Sequence, residues 1–185
     1  MGTIRYAINV TLDGSCHHEA GLAPDAESMA YWTGMIADAR SLLYGRVTYE
    51  MMRDAWRRPV AGPWPDWMDA DDQAFAEVIG AARKHVVASS PTDLGWNAER
   101  VAGDFVASVR RLKDETEGMI LLGGVTLPAA LADAGLIDEY VFVVQPIVAG
   151  HGPTLLAGLR DRMTLRLVDR RDFGSGAVAQ RYRPV

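Results

Sequence analysis

The chain has 185 residues, of which 49% are hydrophobic and 23% charged, a composition typical of one globular domain over residues 1–185 with a sizeable core. Its net charge of −5 offers no basic surface for nucleic acid, and no apolar run approaches the roughly 18 residues of a membrane span. The single cysteine, Cys16, excludes an intrachain disulfide, and the first residues lack the apolar block of a signal peptide, so we expect a cytoplasmic protein.

The first half of the chain alternates predicted strands with predicted helices. In residues 3–12 apolar side chains recur at every second position from Ile4 to Val10, which is the period of a strand. A polar loop follows and ends at Asp25, a suitable N-cap for a helix over residues 26–39. The later elements of this half are a strand over 41–44, a helix over 46–56, a proline-rich connection over 57–67, a helix over 71–82 and a strand over 84–88.

The second half continues the alternation and then changes character. Its predicted elements are a weak strand over 98–101, a helix over 104–115, a strand over 119–122, a helix over 125–134 and a strand over 140–144. Strands that alternate with helices predict a mostly parallel sheet with helices on both faces. The last two segments, 163–168 and 177–182, both alternate around a turn-rich connector, which predicts a C-terminal antiparallel hairpin at the edge of that sheet.

Two glycine turns have the same layout. Gly45 ends one short apolar strand and precedes a helix, and Gly123 and Gly124 do the same for a second strand. The bare N–H groups at a helix N-terminus, together with the helix dipole, favour an anion. Two such turns in one small domain could hold the two phosphates of a dinucleotide, and this pattern predicts a reductase.

Six segments occur in a recognisable order. They are Leu12-Asp13-Gly14, Gly45-Arg46-Val47-Thr48-Tyr49-Glu50, Ser89-Ser90, Leu122-Gly123-Gly124, Leu136-Ile137-Asp138-Glu139-Tyr140, and Pro146 with Gly150-His151-Gly152-Pro153. Together they resemble the dihydrofolate reductase-like superfamily, and more closely the C-terminal reductase domain of the bifunctional deaminase-reductase of riboflavin biosynthesis and its stand-alone relatives. The chain carries no Cys/His zinc signature of a deaminase.

The resemblance implies a three-layer α/β/α domain around a twisted mixed sheet, with NADPH as the cofactor. In the family the cofactor phosphates lie against helix N-termini, so Gly45 and Arg46 would meet phosphates and Ser89 with Ser90 would contact the adenosine 2′-phosphate. The full set of implied cofactor-binding residues is Asn9, Leu12, Gly45, Arg46, Thr48, Ser89, Ser90, Leu122, Gly123, Gly124, Val125 and Thr126. A purely structural alternative remains at each turn, namely glycines that serve close packing and a surface arginine.

The proton donor is not evident from the sequence. Dihydrofolate reductases carry a carboxylate on the first helix, but the matching position here is near Met29, and Glu27 lies half a turn earlier. Asp13 is a second candidate for a catalytic role, since it could touch the substrate or order its loop. Trp32 and His151 are the candidates for the substrate side of the site.

A metal site is not expected. His17, His18 and Glu19 are possible ligands by type, but adjacent histidines in a strand or loop point apart and no third ligand is near in sequence.

The resulting hypothesis is an NADPH-dependent oxidoreductase that transfers hydride to a small planar heterocycle, similar to the 5-amino-6-(5-phosphoribosylamino)uracil reductase. The alternatives are a non-catalytic NADP(H)-binding module and, less favoured, a true dihydrofolate reductase. The apolar run 140–144, the hairpin and the resemblance also favour a homodimer.

Overall fold

The computed structural model of the protein describes residues 1–89 and 94–185. Eight strands form one sheet: β1 (Thr3–Thr11), β2 (Ala39–Gly45), β3 (Lys84–Val87), β4 (Ala98–Val101), β5 (Met119–Leu122), β6 (Glu139–Gln145), β7 (Leu165–Asp172) and β8 (Val178–Pro184). Five helices accompany them: α1 (Ala26–Ala37), α2 (Arg46–Trp56), α3 (Ala70–Ala81), α4 (Phe105–Glu115) and α5 (Thr126–Asp133).

The sheet is mixed, as predicted. Its strand order is β4-β3-β2-β5-β1-β6-β8-β7. The first six strands in this order are parallel, and β8 and β7 are antiparallel to their neighbours. The predicted C-terminal hairpin is therefore confirmed, with β7 at one edge of the sheet and β4 at the other.

Two helical layers cover the sheet. Residues of α1, α2 and α3 share one core cluster with the β2 side chains of Leu42 and Tyr44. Residues of α4 and α5 share a second cluster with Ile4 and Tyr6 of β1 on the opposite face. Because side chains alternate along a strand, Ala7 of β1 belongs to the first cluster. The predicted three-layer α/β/α architecture is confirmed.

The structure differs from the predicted elements mainly at their ends. Helix α1 stops at Ala37 rather than at residue 39, and β2 begins directly after it at Ala39. Strand β7 runs to Asp172, four residues beyond the predicted end, because its pairing with β8 continues as far as the Asp172–Val178 pair. The alternating pattern weakens in that stretch, where charged residues occur on both faces.

Among the described residues no helix is both long and apolar enough to cross a membrane.

Candidate functional site

At the carboxyl edge of the sheet β1 continues beyond the end of β5, and we call the region beside this part of β1 the cleft. The pairing of these two strands ends at Tyr6 and Leu122, whereas β1 stays paired with β6 as far as Thr11 and Gln145. The chain leaves β1 towards α1 on one face, and it leaves β5 towards α5 on the other. A position where neighbouring parallel strands lead to opposite faces is where open α/β sheets bind ligands.

The two glycine turns meet beside this cleft. A Cβ built on Gly124 would lie 2.6 Å from Oγ1 of Thr48, and one built on Gly45 would lie 3.9 Å from Cβ of Leu127. The first turns of α2 and α5 are therefore neighbours, as expected of two sites that bind one dinucleotide.

The helix N-termini fall into two groups. In α1, α3 and α4 an aspartate caps the helix: Asp25, Asp69 and Asp104 accept hydrogen bonds from first-turn N–H groups. In α2 and α5, by contrast, no side chain of the described residues accepts such a bond. The first-turn donors at both glycine turns are thus available to an anion.

The remaining predicted phosphate contacts are arranged around these turns. The Arg46 guanidinium donates to Glu50 at 2.8 Å and is half exposed, so it pairs within its own helix while several of its donors stay available. Ser89 is exposed and follows β3, the neighbour of β2, at the same edge of the sheet. Thr126 is exposed in the first turn of α5, and Val125 is its N-cap. The predicted Ser90 lies outside the described residues.

The glycines of the second turn also have packing roles. A Cβ on Gly123 would lie 2.7 Å from the ring of Tyr44, and the Tyr6 hydroxyl donates to the Gly124 carbonyl at 3.1 Å. The φ of +104° at Gly124 is itself unfavourable for other residues. These contacts support the alternative that the glycines serve close packing. Close packing does not prevent a ligand from binding the first-turn N–H groups of α5.

Two of the predicted cofactor residues differ in exposure. The Leu122 side chain is fully buried in the core beneath α4 and α5, so any contact with a cofactor would fall to its backbone. Leu12 is different: its side chain is exposed, and its N–H donates to the Ile147 carbonyl at 2.8 Å.

Asp13 connects the loops that follow β1 and β6. Its carboxylate accepts hydrogen bonds from the Thr11 hydroxyl and from the N–H groups of Ala149, at 3.0 Å, and Gly150, at 2.7 Å. These bonds, led by the one from Thr11, lower the pKa of Asp13 to about 2. These contacts match the predicted loop-ordering role, and a catalytic role for Asp13 stays a prediction.

Glu27 is also engaged in a structural contact. It accepts from the Gly174 N–H at 2.9 Å and from Arg171 at 3.3 Å, which attaches the start of α1 to the turn between β7 and β8. Met29, at the position that matches the family's helix carboxylate, is buried in the core under α1. No described carboxylate on α1 therefore has the free, cleft-facing position of a proton donor.

The open half of β1 presents a polar side chain. Asn9 is exposed, and its Oδ1 accepts a hydrogen bond from Nε2 of Gln145 at 3.2 Å. Trp32 of α1 is half-buried against a small cluster that contains Val143, the register partner of Asn9. The sequence did not single out Gln145, because its pairing with Asn9 depends on the register of β1 and β6.

Three histidines gather in the loops after β1 and β6. The rings of His17 and His18 stack at 5.0 Å, and the His151 ring lies 5.8 Å from that of His17. The expectation that the two adjacent histidines point apart was wrong, since this segment is not extended but turns at residue 18. Within residues 1–89 and 94–185 no group of His, Cys, Asp or Glu has the geometry of a metal site.

A cavity of about 370 Å³ lies away from the glycine turns, between α1 and the hairpin. Arg5, Arg171 and Arg181 line it, but Glu139 pairs with Arg5 and lies 3.9 Å from Arg181, and Glu27 pairs with Arg171. The charges are thus largely matched within the protein, so we place the functional site at the cleft.

Known proteins share this architecture. The family model of the RibD C-terminal domain matches residues 3–179. The uncharacterised protein YyaP of Bacillus subtilis (strain 168) is 25% identical over 177 residues, which covers 91% of this chain and 88% of YyaP.

Two solved structures illustrate the likeness in fold. A protein from Shewanella sp. PV-4, whose name provisionally connects it with riboflavin biosynthesis, superimposes with a TM-score of 0.75 at 16% identity and covers 99% of both chains. The diaminohydroxyphosphoribosylaminopyrimidine deaminase/5-amino-6-(5-phosphoribosylamino)uracil reductase of Thermotoga maritima superimposes with a TM-score of 0.69 at 16% identity, over 99% of this chain and 56% of its own. Since the family model spans nearly the whole chain, this protein belongs to the RibD C-terminal domain family.

Proposed function

We propose that this protein is an NADPH-dependent reductase that acts on a small planar heterocycle of the pyrimidine type. One observation carries the proposal: the two helices that begin at glycine turns beside the cleft, α2 and α5, are those whose first turns no described side chain caps. Family membership supports a reductase, and the Thermotoga maritima structure is named as a uracil reductase.

The residues present fit such a cofactor. The turns at Gly45 and Gly124 would let its phosphates approach the first-turn N–H groups of α2 and α5, and Arg46 would add a guanidinium suited to a phosphate. The N–H of Gly123 already donates to the Leu43 carbonyl at 3.1 Å, so Gly123 would allow close approach without supplying a donor. Ser89 would contribute a hydroxyl donor near the adenosine 2′-phosphate. When bound, NADPH supplies the hydride, while the protein orients both reactants and excludes water.

The first experiment measures binding. We expect saturable NADPH binding with a dissociation constant below a few hundred micromolar in a calorimetric titration. Arg46→Ala should weaken NADPH binding about tenfold, the effect of one charge-assisted contact. Arg53→Ala is the matched control, because Arg53 lies on the last turn of the same helix and pairs with Asp54. Absence of saturable binding to the wild-type protein would refute the proposal.

A non-catalytic NADP(H)-binding module is the second candidate. It is favoured by the engagement of both predicted acids, Asp13 and Glu27, in contacts within the protein. Turnover distinguishes the two: NADPH oxidation with a 5-amino-6-ribosylaminouracil phosphate or a related pyrimidine supports the enzyme. Binding without oxidation across such pyrimidines and dihydrofolate supports the module.

We further propose that the protein is a homodimer in the cytoplasm, but with a dimer contact other than the apolar run of β6 or the hairpin edge. The apolar strand β6 lies between β1 and β8, so its apolar run is already covered within the protein. The edge strand β7 of the hairpin carries Arg166, Asp169 and Arg170, and such charges disfavour edge pairing. A dimer would therefore use another surface. Size-exclusion chromatography with light scattering tests it, and a monomer at micromolar concentration would exclude it.

A further inference from the structure

The side-chain amides of Asn9 and Gln145 form a hydrogen-bonded pair at the carboxyl edge of the sheet. Asn9 lies on the part of β1 that has passed the end of β5, and Gln145 is the last residue of β6. Nε2 of Gln145 donates to Oδ1 of Asn9 at 3.2 Å. The two residues come from strands adjacent in the sheet, and the side chains of both project from the face that α1 partly covers.

This pair retains unused hydrogen-bonding capacity. Among the described residues neither Nδ2 of Asn9 nor Oε1 of Gln145 has a hydrogen-bond partner. If both amides are rotated by 180°, the donor and the acceptor of this bond exchange residues. In either arrangement, one bond between the amides leaves one NH₂ group and one carbonyl oxygen without a partner in the pair. A donor beside an acceptor is the complement of an amide group, which presents C=O beside N–H.

The two residues differ in burial. Gln145 is 8% exposed, and a Cβ at Gly21 would lie 3.6 Å from its Cγ, so the loop before α1 packs against it. Asn9 is exposed. The bond from Gln145 restricts the exposed Asn9 side chain, which lowers the entropy that a ligand would otherwise have to remove.

An aromatic side chain packs on the same face of the sheet as this pair. Trp32 packs against the cluster that contains Val143, and Val143 is the register partner of Asn9. A heterocycle whose amide edge meets Asn9 would therefore lie near an aromatic side chain.

We propose that Asn9 and Gln145 are a specificity-determining pair that binds the amide group of a ligand in the cleft. This inference rests on the proposed function. The amide has two possible sources with the same chemistry: the lactam edge of a pyrimidine-type substrate, or the carboxamide of the nicotinamide ring.

The experiment compares each amide ligand with an analogue in which the amide N–H is lost. NADPH is paired with its 3-acetylpyridine analogue, and 5,6-diaminouracil, titrated in the presence of NADP⁺, is paired with its 1,3-dimethyl derivative, which lacks both ring N–H groups. Adenosine 2′,5′-bisphosphate, which has no nicotinamide, reports on the phosphate part of the site alone. The variants are Asn9→Leu and Gln145→Leu, both close in size to the native residues.

We expect the wild-type protein to prefer one amide ligand over its blocked analogue by about tenfold, and both variants to lose that preference. Adenosine bisphosphate should bind all forms within twofold. Gln180→Leu is the matched control, because Gln180 lies on β8, pairs in register with Phe142 on the opposite face of the sheet and bonds to Tyr182.

The outcomes distinguish the two possible sources of the amide group. They also distinguish failure of this inference from failure of the proposed function. Loss of the preference for NADPH assigns the pair to the nicotinamide carboxamide, and loss of the preference for diaminouracil assigns it to a substrate lactam. If the wild-type protein shows neither preference, or the variants keep it, the inference is overturned. Failure of the wild-type protein to bind adenosine bisphosphate and NADPH would instead overturn the proposed function.

Discussion

Gly124 combines two constraints in one residue. Its φ of +104° disfavours any side chain, and a Cβ would come within 2.6 Å of Thr48. Its carbonyl accepts the Tyr6 hydroxyl, which anchors the turn to β1. The residue therefore fixes both the path of the backbone and the distance between α2 and α5.

We predict that Gly124→Ala destabilises the protein by about 2 kcal/mol, through backbone strain and displacement of Thr48. The displaced turn should also weaken NADPH binding at least tenfold. Urea unfolding and calorimetric titration measure the two effects.

Gly135→Ala provides the control. Gly135 also has a positive φ, +65°, but a Cβ there would meet no atom within 4 Å. We expect a loss of about 1 kcal/mol in stability and unchanged NADPH binding. Equal loss of binding in both variants would contradict a specific role for the Gly124 turn.

At the scale of elements, the loops after β1 and β6 behave as one unit. Asp13 holds the N–H groups of Ala149 and Gly150, and the N–H groups of Cys16 and Leu155 donate to the Pro153 and Gly14 carbonyls across the same junction. The carboxyl edge of the sheet is thus bordered by two loops that are tied to each other.

We predict that Asp13→Ala raises the hydrogen-exchange rates of the Ala149 and Gly150 amides about tenfold, because both lose their acceptor. The global free energy of unfolding should change by less than about 1 kcal/mol, since the carboxylate is exposed. Hydrogen exchange with mass spectrometry measures the local effect.

Asp13→Asn should have a smaller effect than the alanine variant, because its amide oxygen still accepts one bond. Asp25→Ala, at the cap of α1, should accelerate exchange at Ser28 and leave the loop after β6 unchanged. Unaltered exchange at both loop amides in Asp13→Ala would argue against this coupling.

Local sequence patterns predicted most of the helices and strands, but they did not predict the side-chain contacts between these elements. The strand–helix alternation predicted the parallel sheet, and the glycine turns were recognisable because glycine between a strand and a helix is a local signal. The Tyr44 ring that requires Gly123, and the Gln145 amide that holds Asn9, depend on strand order and register. The sequence likewise does not reveal which backbone N–H groups donate to the carboxylates of Asp13 and Glu27, and it leaves both as candidate catalytic residues.

At the scale of the whole molecule, one buried carboxylate joins the parallel and antiparallel parts of the sheet. Glu139 of β6 is 3% exposed, and it accepts from Arg5 of β1 at 2.7 Å and from Arg183 of β8 at 2.7 Å and 3.0 Å. Burial raises the pKa of Glu139, but the hydrogen bonds from Arg183 and Arg5 outweigh it, and the pKa lies below its ordinary value of 4.5. The charged form therefore stabilises the fold.

We predict that Glu139→Gln lowers the free energy of unfolding at pH 7 by about 2 to 3 kcal/mol, because it leaves the arginines without their anion. The contribution of a carboxylate with a lowered pKa is present above 4.5 and is lost as the pH falls through its folded-state value. The difference between variant and wild type should therefore shrink towards pH 3 in urea unfolding.

Asp54→Asn, which removes an exposed partner of Arg53, is the control, and we expect a change within about 0.5 kcal/mol. A gap between Glu139→Gln and the wild type that stays constant from pH 7 to pH 3 would exclude this linkage.

The two helices without side-chain caps have a consequence for thermal stability. An anion that binds their first-turn N–H groups binds only the folded state, so it raises the melting temperature. At a ligand concentration about a hundred times the dissociation constant the gain is about 2.7 kcal/mol, or roughly 5 to 10 °C for a chain of this size. A melting-temperature screen of nucleotides would therefore rank them by how well each one completes α2 and α5, whatever reaction the protein catalyses.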